Sequence, residues 1–271
     1  MLRYDAKKKL ETTYQHYAIH KQSLAELSVS TGKSKRTLQR DFDKLIPVSV
    51  FPPSEIELVN LIADATFFSR SDGVLIFRAN AKNIYWHFIQ SETLKEMTLG
   101  LDAVDNRGWR FKSVTIDGRK GVIQLFAARY PGIPIQLCQF HQTQIIRRYL
   151  TNKPKTICGQ QLKNVMACLT QTTQAVFQSL VETLREEYAE FLKERNDNHQ
   201  FKHRALRSAF RSLKTNMPYL FTYKNFPELN IPNTTNSCDG SFAHWKQKLK
   251  IHRGLRKHRR DKMVNFLLSK S

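Results

Sequence analysis

The stretch that most constrains the fold is residues 111–141, FKSVTIDGRKGVIQLFAARYPGIPIQLCQFH. Phe111, Val114 and Ile116 give an apolar strand signal, and Asp117-Gly118 stands where a turn should begin. Residues 121–129 carry a short helical pattern through Val122, Ile123, Leu125 and Phe126. After Pro131-Gly132 a second strand, over residues 133–138, runs into Cys-Gln-Phe-His. A strand, a crossover helix and a second strand make a parallel pair, and such pairs put functional groups at the C-terminal ends of their strands. Asp117 and His141 are therefore expected on one rim.

Upstream, residues 57–66 (ELVNLIADAT) form a strand too apolar to be half exposed, with Asp64 inside it. Residues 73–80 and 83–90 are two further β-rich runs separated by a tight connection, the pattern of an antiparallel hairpin. Residues 91–106 then place Leu94, Met97, Leu101 and Val104 on one helical face. The expected order is β-β-β-α-β-α-β-α, an α/β domain on a mixed five-stranded sheet. An aspartate in an apolar strand is costly unless its charge is compensated. For Asp64 alone, a hydrogen-bonded core acid is the plain explanation. If the first and fourth strands are neighbours, Asp64 lies beside Asp117, and Mg²⁺ or Mn²⁺ would relieve the repulsion of the pair while polarising a phosphate.

Residues 1–46 read as a separate all-α unit. Leu10, Tyr14 and Tyr17 share a helical face, Ser23 caps a second helix, Thr31-Gly32-Lys33 breaks it, and Ser34 opens a third with Leu38, Phe42 and Leu45 as its stripe. This is the helix-turn-helix arrangement. In it Lys35, Arg36, Gln39 and Arg40 face outward, where they can meet phosphates or purine edges in a major groove. A solvated basic face on a small bundle would look the same. Pro47 and Pro52-Pro53 mark residues 47–54 as a linker to a second domain, residues 55–271.

Forty-four Lys and Arg against 23 Asp and Glu give a net charge of +21. Such a field favours a polyanion as partner, nucleic acid first. No run reaches the roughly 18 apolar residues of a spanning helix, and the N-terminus lacks the apolar core of a secretory signal. A cytoplasmic protein with no membrane and no small-molecule substrate is expected. Cys138, Cys158, Cys168 and Cys238 form no Cys-x-x-Cys pair, which argues against a disulfide framework or a zinc ribbon.

Beyond the fifth strand, helical patterns at residues 161–169, 174–195 and 201–214 form a large all-helical insertion over about residues 155–230, with Val176, Leu180, Leu184, Tyr188 and Phe191 as one apolar stripe. The chain returns at residues 233–240, NTTNSCDG. Asn236 reads as an N-cap, and Asp239 falls in the first turn of the next helix. A capping-box variant is the plain explanation; a carboxylate aimed at Asp64 is the functional one. In that helix Phe242, Trp245, Leu249 and His252 make an apolar face, with Lys246, Lys248 and Lys250 on the other sides. Arg253, Arg256, Lys257, Arg259, Arg260 and Lys262 continue the charge. Charge runs are usually solvated, but this one follows Asp239 within one helix, where a phosphate backbone would pass.

In this order, TIDGRKG, LCQFHQ, a helical insertion and NTTNSCDGSFAHWKQKLKIHRGL resemble the catalytic domain of Mutator-like DDE transposases of bacterial insertion sequences, over roughly residues 55–265. The resemblance implies a ribonuclease-H-like core, as in retroviral integrases, in which three acids bind divalent metal: Asp64 first, Asp117 second and Asp239 third. Cys138 and His141 match the family's Cys-x-x-His signature, which implies a contact of His141 with the scissile phosphate or a nearby base. It further implies metal-dependent cleavage of double-stranded element ends, transfer of the freed 3′-hydroxyl to target DNA, a dimer or higher assembly on DNA, and a place at the bacterial nucleoid. The family's third acid is usually Glu. Asp239 reaches one methylene less, and Glu228 is a less favoured substitute. Two alternatives are a sequence-specific DNA-binding regulator with a vestigial catalytic domain and a junction-type nuclease on the same fold.

Overall fold

The structure, a computed structural model, describes residues 4–45, 57–252 and 254–270, without the side chains of Asp239 and Ser241. The expected linker, residues 47–54, and Arg253 lie outside the described residues. Three helices open the chain: α1 (Tyr4–Ala18), α2 (Leu24–Thr31) and α3 (Lys35–Asp43). Local sequence explains their boundaries. Ser23 and Glu26 form a reciprocal capping box at the start of α2, Gly32 ends it with φ 68°, and Ser34 caps α3. A left-handed residue closing a helix is where glycine carries no Cβ penalty.

The sheet follows as β1 (Leu58–Ser69), β2 (Asp72–Ala79), β3 (Lys82–Ile89), α4 (Leu94–Asp105), β4 (Arg110–Ile116), α5 (Lys120–Arg129) and β5 (Ile135–Leu137), with α6 (Gln139–Leu150) after it. Its spatial order is β3-β2-β1-β4-β5. β1 and β3 are antiparallel to β2, whereas β1, β4 and β5 run parallel. The mixed five-stranded sheet and its element order are those expected from the sequence, and β1 and β4 are neighbours.

Alternation along the strands divides the core in two. Val59, Leu61, Ala63, Leu75, Phe77, Val114 and Ile116 face α4, α5 and the helices that follow. Ile62, Val74 and Ile76 face the other way. Gly100 lets α4 sit close: a Cβ there would stand 2.1 Å from the Phe77 ring. The helical insertion contains α7 (Ile157–Ala167), α8 (Gln174–Glu187), α9 (Ala189–Lys193), α10 (Arg204–Leu220) and α11 (Thr222–Asn225). The expected stripe holds at Leu184, Tyr188 and Phe191, which pack on the core, but not at its first two positions. Phe177, Val181 and Leu184 are buried, whereas Val176 is 52% and Leu180 40% exposed. The large Phe177 ring, packed on Phe221 at 5.7 Å between centroids, takes the core position.

Two helices cover the second face of the sheet, α12 (Asn236–Ile251) and α13 (Lys257–Ser269). Their Cys238, Phe242, Trp245, Met263, Val264, Leu267 and Leu268 meet Ile62, Val74 and Ile76. The N-terminal helices do not close on a core of their own, because Tyr14, Tyr17, Leu38 and Phe42 join this same cluster. Among the described residues, no helix is long and apolar enough to cross a membrane.

Candidate active site

Register brings the two strand acids together. β1 and β4 pair in parallel with Ile62 opposite Thr115. Continuing that register by two residues puts Asp64 level with Asp117, on strands about 4.8 Å apart. Both belong to the face of Ile62 and Thr115, the face that α12 covers. Asp64 is 7% exposed, and its Oδ1 accepts the Ala65 N–H at 2.8 Å. Asp117 stands just past the end of β4, its side chain 26% exposed.

The segment before α12 is fastened along the same face. Asn60 Nδ2 donates to the carbonyls of Leu229 and Asn230 at 2.9 and 3.0 Å, and the Thr115 hydroxyl donates to the Pro232 carbonyl at 2.7 Å. This delivers Thr235 to Cys138. The buried Cys138 Sγ accepts the Thr235 N–H at 3.2 Å, the Thr235 hydroxyl at 3.5 Å and, as N-cap of α6, the His141 N–H at 3.5 Å. The Thr235 hydroxyl also lies 3.3 Å from His141 Nδ1. Burial pushes the Cys138 thiol up, but hydrogen bonds from His141 and Thr235 outweigh it and hold the group below its ordinary pKa. The Cys-x-x-His motif thus joins the start of α6 to the start of α12.

The cap of α12 differs from expectation. Thr235, not Asn236, is the N-cap, because the Cys138 sulfur competes successfully for its N–H and hydroxyl. Asp239 is the fourth residue of α12, in its first turn; its side chain lies outside the description. Glu228 is exposed in a 3-10 turn, Pro227–Leu229, that meets β1 at Asn60. That contact lies four residues before Asp64, about 13 Å along the strand, so Glu228 is not part of the rim.

Sequence reasoning missed two residues here. β3 runs parallel to β1, so Glu92, just beyond its end, reaches the same rim. Arg119, the residue before α5, donates from Nη1 to the Glu92 carbonyl at 2.7 Å, pairs through Nη2 with the Glu92 carboxylate at 2.7 Å, and approaches Asp117 Oδ2 at 3.4 Å through Nε. Burial raises the Glu92 pKa, and the Asp117 charge adds to that, against the opposing effects of Arg119 and His141. Arg119 is thus the countercharge of a carboxylate pair. Its place in the TIDGRKG motif was the available signal, but nothing local pointed to Glu92.

The basic residues separate into two groups. Lys35, Arg36 and Arg40 are exposed on α3 as expected, and Gln39 is half-buried. Lys246 is half-buried, while Lys250 and Arg256 are exposed. Lys257, Arg259 and Arg260 are all ion-paired, Lys257 while exposed and the two arginines while half-buried. Arg259 makes a bidentate pair with Asp43 at 3.0 and 2.7 Å, Lys257 pairs with Asp261 at 2.7 Å and Asp72 at 3.2 Å, and Arg260 pairs with Asp72. Lys262 donates to the Phe42 carbonyl at 3.1 Å. These cations weld α13 to the end of α3 and to β2. Lys248, expected on an outer side, is 5% exposed, and burial together with Lys21 lowers its pKa.

Among the described residues, no group of three or more His, Cys, Asp or Glu side chains is placed to hold a metal ion. The β1–β4 register, continued by two residues, sets two aspartates level, and carboxylate oxygens are hard donors of the kind Mg²⁺ or Mn²⁺ takes. No family model matches the chain, and no curated protein matches it.

Proposed function

We propose that the chain is a DNA transposase: an N-terminal helix-turn-helix unit that binds element ends, joined to a ribonuclease-H-like catalytic domain with a helical insertion. The observation that carries this reading is the parallel pairing of β1 and β4 with Ile62 opposite Thr115, a register that, continued by two residues, sets Asp64 level with Asp117 on the face where the first turn of α12 carries Asp239. The strand order β3-β2-β1-β4-β5, antiparallel on one side of β1 and parallel on the other, supports the same fold.

Asp64 and Asp117, with Asp239 from α12, are the residues to hold Mg²⁺ or Mn²⁺. When bound, the metal supplies Lewis-acid stabilisation of the charge that develops at phosphorus during in-line displacement. The chain's own groups arrange the substrate. Arg119 keeps the Asp117 carboxylate oriented until phosphate enters, and His141, braced by Thr235, hydrogen-bonds a phosphodiester oxygen. Cys138 fixes α12 at the rim. Lys35, Arg36, Gln39 and Arg40 contact the element end, and Lys246, Lys250 and Arg256 contact the backbone of the strand being cut. Hydrolysis frees a 3′-hydroxyl, which then attacks target DNA. Two ends must be processed together, so the working form is a dimer or higher assembly on double-stranded DNA.

The test is cleavage and joining of labelled DNA carrying the candidate element end, with Mg²⁺ or Mn²⁺, by wild type, Asp239→Glu and Asp239→Asn. Cutting and joining by wild type but not by Asp239→Asn supports Asp239 as the third acid. Rescue of a silent wild type by Asp239→Glu supports the fold and family but marks a decayed copy. Silence in all three, with end binding intact, would replace the transposase by a DNA-binding regulator.

A further inference from the structure

The helical insertion contains a groove of about 410 Å³ between α8 and α9 on one side and α10 on the other. Its walls carry Arg185, Lys193, Arg207, Arg211 and Lys214. Two carboxylates, Glu182 and Glu186, also line it, leaving the cations in excess.

The placement of α10 gives this charge a direction. Near its C-terminal end Asn216 Nδ2 donates to Gln142 Oε1 at 2.7 Å, and Gln142 Nε2 lies 3.3 Å from the Ser212 hydroxyl, locking α10 onto α6. Asn216 also touches the candidate rim: a Cβ on Gly118, the residue after Asp117, would stand 3.0 Å from its Nδ2. Counting back from there, Lys214, Arg211, Arg207 and Arg204 recur at steps of three, four and three residues. They form one helical row about 15 Å long. The row lies opposite the buried side of Leu206, Ala209, Leu213 and Asn216.

The row is partly preset. The Arg207 guanidinium stacks 3.6 Å from the Phe201 ring centre and donates to the Leu192 carbonyl at 3.0 Å, which fixes its orientation without neutralising it. Arg185, Arg211 and Lys214 are exposed and form no ion pair among the described residues. Cations about 4.5–6 Å apart along a rigid helix fit the repeated charge of a phosphodiester strand, whereas a compact anion would need them to converge on one point.

We infer that the Lys214–Arg211–Arg207–Arg204 row, with Arg185 across the groove, is a sequence-independent binding surface for the sugar–phosphate backbone of duplex DNA leaving the Asp64–Asp117 rim. The choice of DNA as the polyanion rests on the proposed function. The surface gives the insertion a task, because it extends the bound path outward from the rim on the side away from α3.

The experiment measures binding of a labelled mixed-sequence duplex across a salt series, for wild type, the triple variant Arg185→Ala/Arg211→Ala/Lys214→Ala, and the reversal Arg211→Glu/Lys214→Glu. Asp64→Asn serves as a catalytic control. The triple variant should melt like wild type, since its side chains are exposed. It should bind roughly tenfold or more weakly near 0.1 M salt, with a log–log salt slope shallower by about 2 to 3 units, at ~0.9 per lost phosphate contact. The reversal should weaken binding further. Wild-type affinity and slope in both variants would overturn the inference while leaving the transposase reading intact; a wild type that binds no duplex at any salt concentration would overturn both. Undiminished cleavage by Asp64→Asn would remove the transposase reading, and the binding series would still decide the role of the row.

Discussion

Replacing Cys138 by alanine separates a hydrogen-bonding clamp from a metal-ligand pair. The sulfur is 1% exposed and receives the Thr235 N–H, the Thr235 hydroxyl and the His141 N–H. Removing it forfeits about 0.8 kcal/mol of burial, as for one methylene. Leaving the buried Thr235 N–H without an acceptor costs about 1–3 kcal/mol more. The Thr235 hydroxyl can turn to His141 Nδ1, 3.3 Å away, so its loss adds little. The total is about 2–4 kcal/mol, or roughly 5–15 °C in Tm for a chain of this size. Cys138→Ser keeps an acceptor on a shorter bond and should lose less than half as much. Thermal and urea unfolding of the three proteins reads the stability. Under the proposed function, end cleavage should fall further than end binding in the alanine variant, because the start of α12 carries Asp239. An alanine variant melting within about 1 °C of wild type would refute the clamp. Equal damage from Ser and Ala, with loss of one bound zinc per chain, would show ligation instead.

Docking of the N-terminal helices should weaken in acid in two stages. His252, buried with Nε2 3.0 Å from the Tyr17 carbonyl, has its pKa held down by burial, which that hydrogen bond only partly opposes. The unfolded chain therefore takes its proton first, and stability declines as pH falls below about 6.5. The Arg259 hydrogen bonds hold Asp43 below its usual range, so its contribution is present above about pH 3.9 and disappears as pH falls through the lower folded value. Melting curves from neutral to acid pH, compared with His252→Gln and Asp43→Asn, check both stages; a wild-type Tm that stays flat between pH 7 and 5 would refute the first. Arg119→Ala should lower Tm by about 2–4 °C without divalent cations, from loss of roughly 1 kcal/mol of pairing. Mg²⁺ should then raise Tm more in the variant than in wild type, and equal rises would show that Arg119 does not neutralise the carboxylate pair.

Legibility in the sequence followed the range of the interactions. The strands, the boundaries of the three N-terminal helices and the element order that sets β1 beside β4 are written in short-period patterns and local caps such as Ser23 with Glu26. The cap at Thr235 was not, because a sulfur 97 residues away in sequence overrides the local preference for Asn236. Glu92 was equally hidden: its partner Arg119 lies 27 residues on and meets it only because β3 and β4 end at one rim. Only the first two positions of the α8 stripe were misplaced, Val176 and Leu180 for Phe177 and Val181, because two i, i+4 rows compete there and packing against Phe221 selects Phe177.

The basic C-terminal run shows why sequence charge is a poor map of a binding surface. Lys257, Arg259 and Arg260 read as free phosphate ligands, yet Asp72, Asp261 and Asp43 take them up, the last from 216 residues away. Cations left outward include Lys35, Arg36 and Arg40 on α3, Lys250 on α12, Arg147 and Arg148 on α6, and Arg211 and Lys214 on α10. Arg259 and Lys262 hold the end of α3 against α13, and α13 shares the sheet face with α12. The exposed Lys35, Arg36 and Arg40 are therefore carried at a fixed distance from the Asp64–Asp117 rim rather than on a free tether. Under the proposed function, the offset between the recognised sequence and the cut is then set by this ion-pair weld, and shifting the cut requires breaking it rather than lengthening residues 47–54.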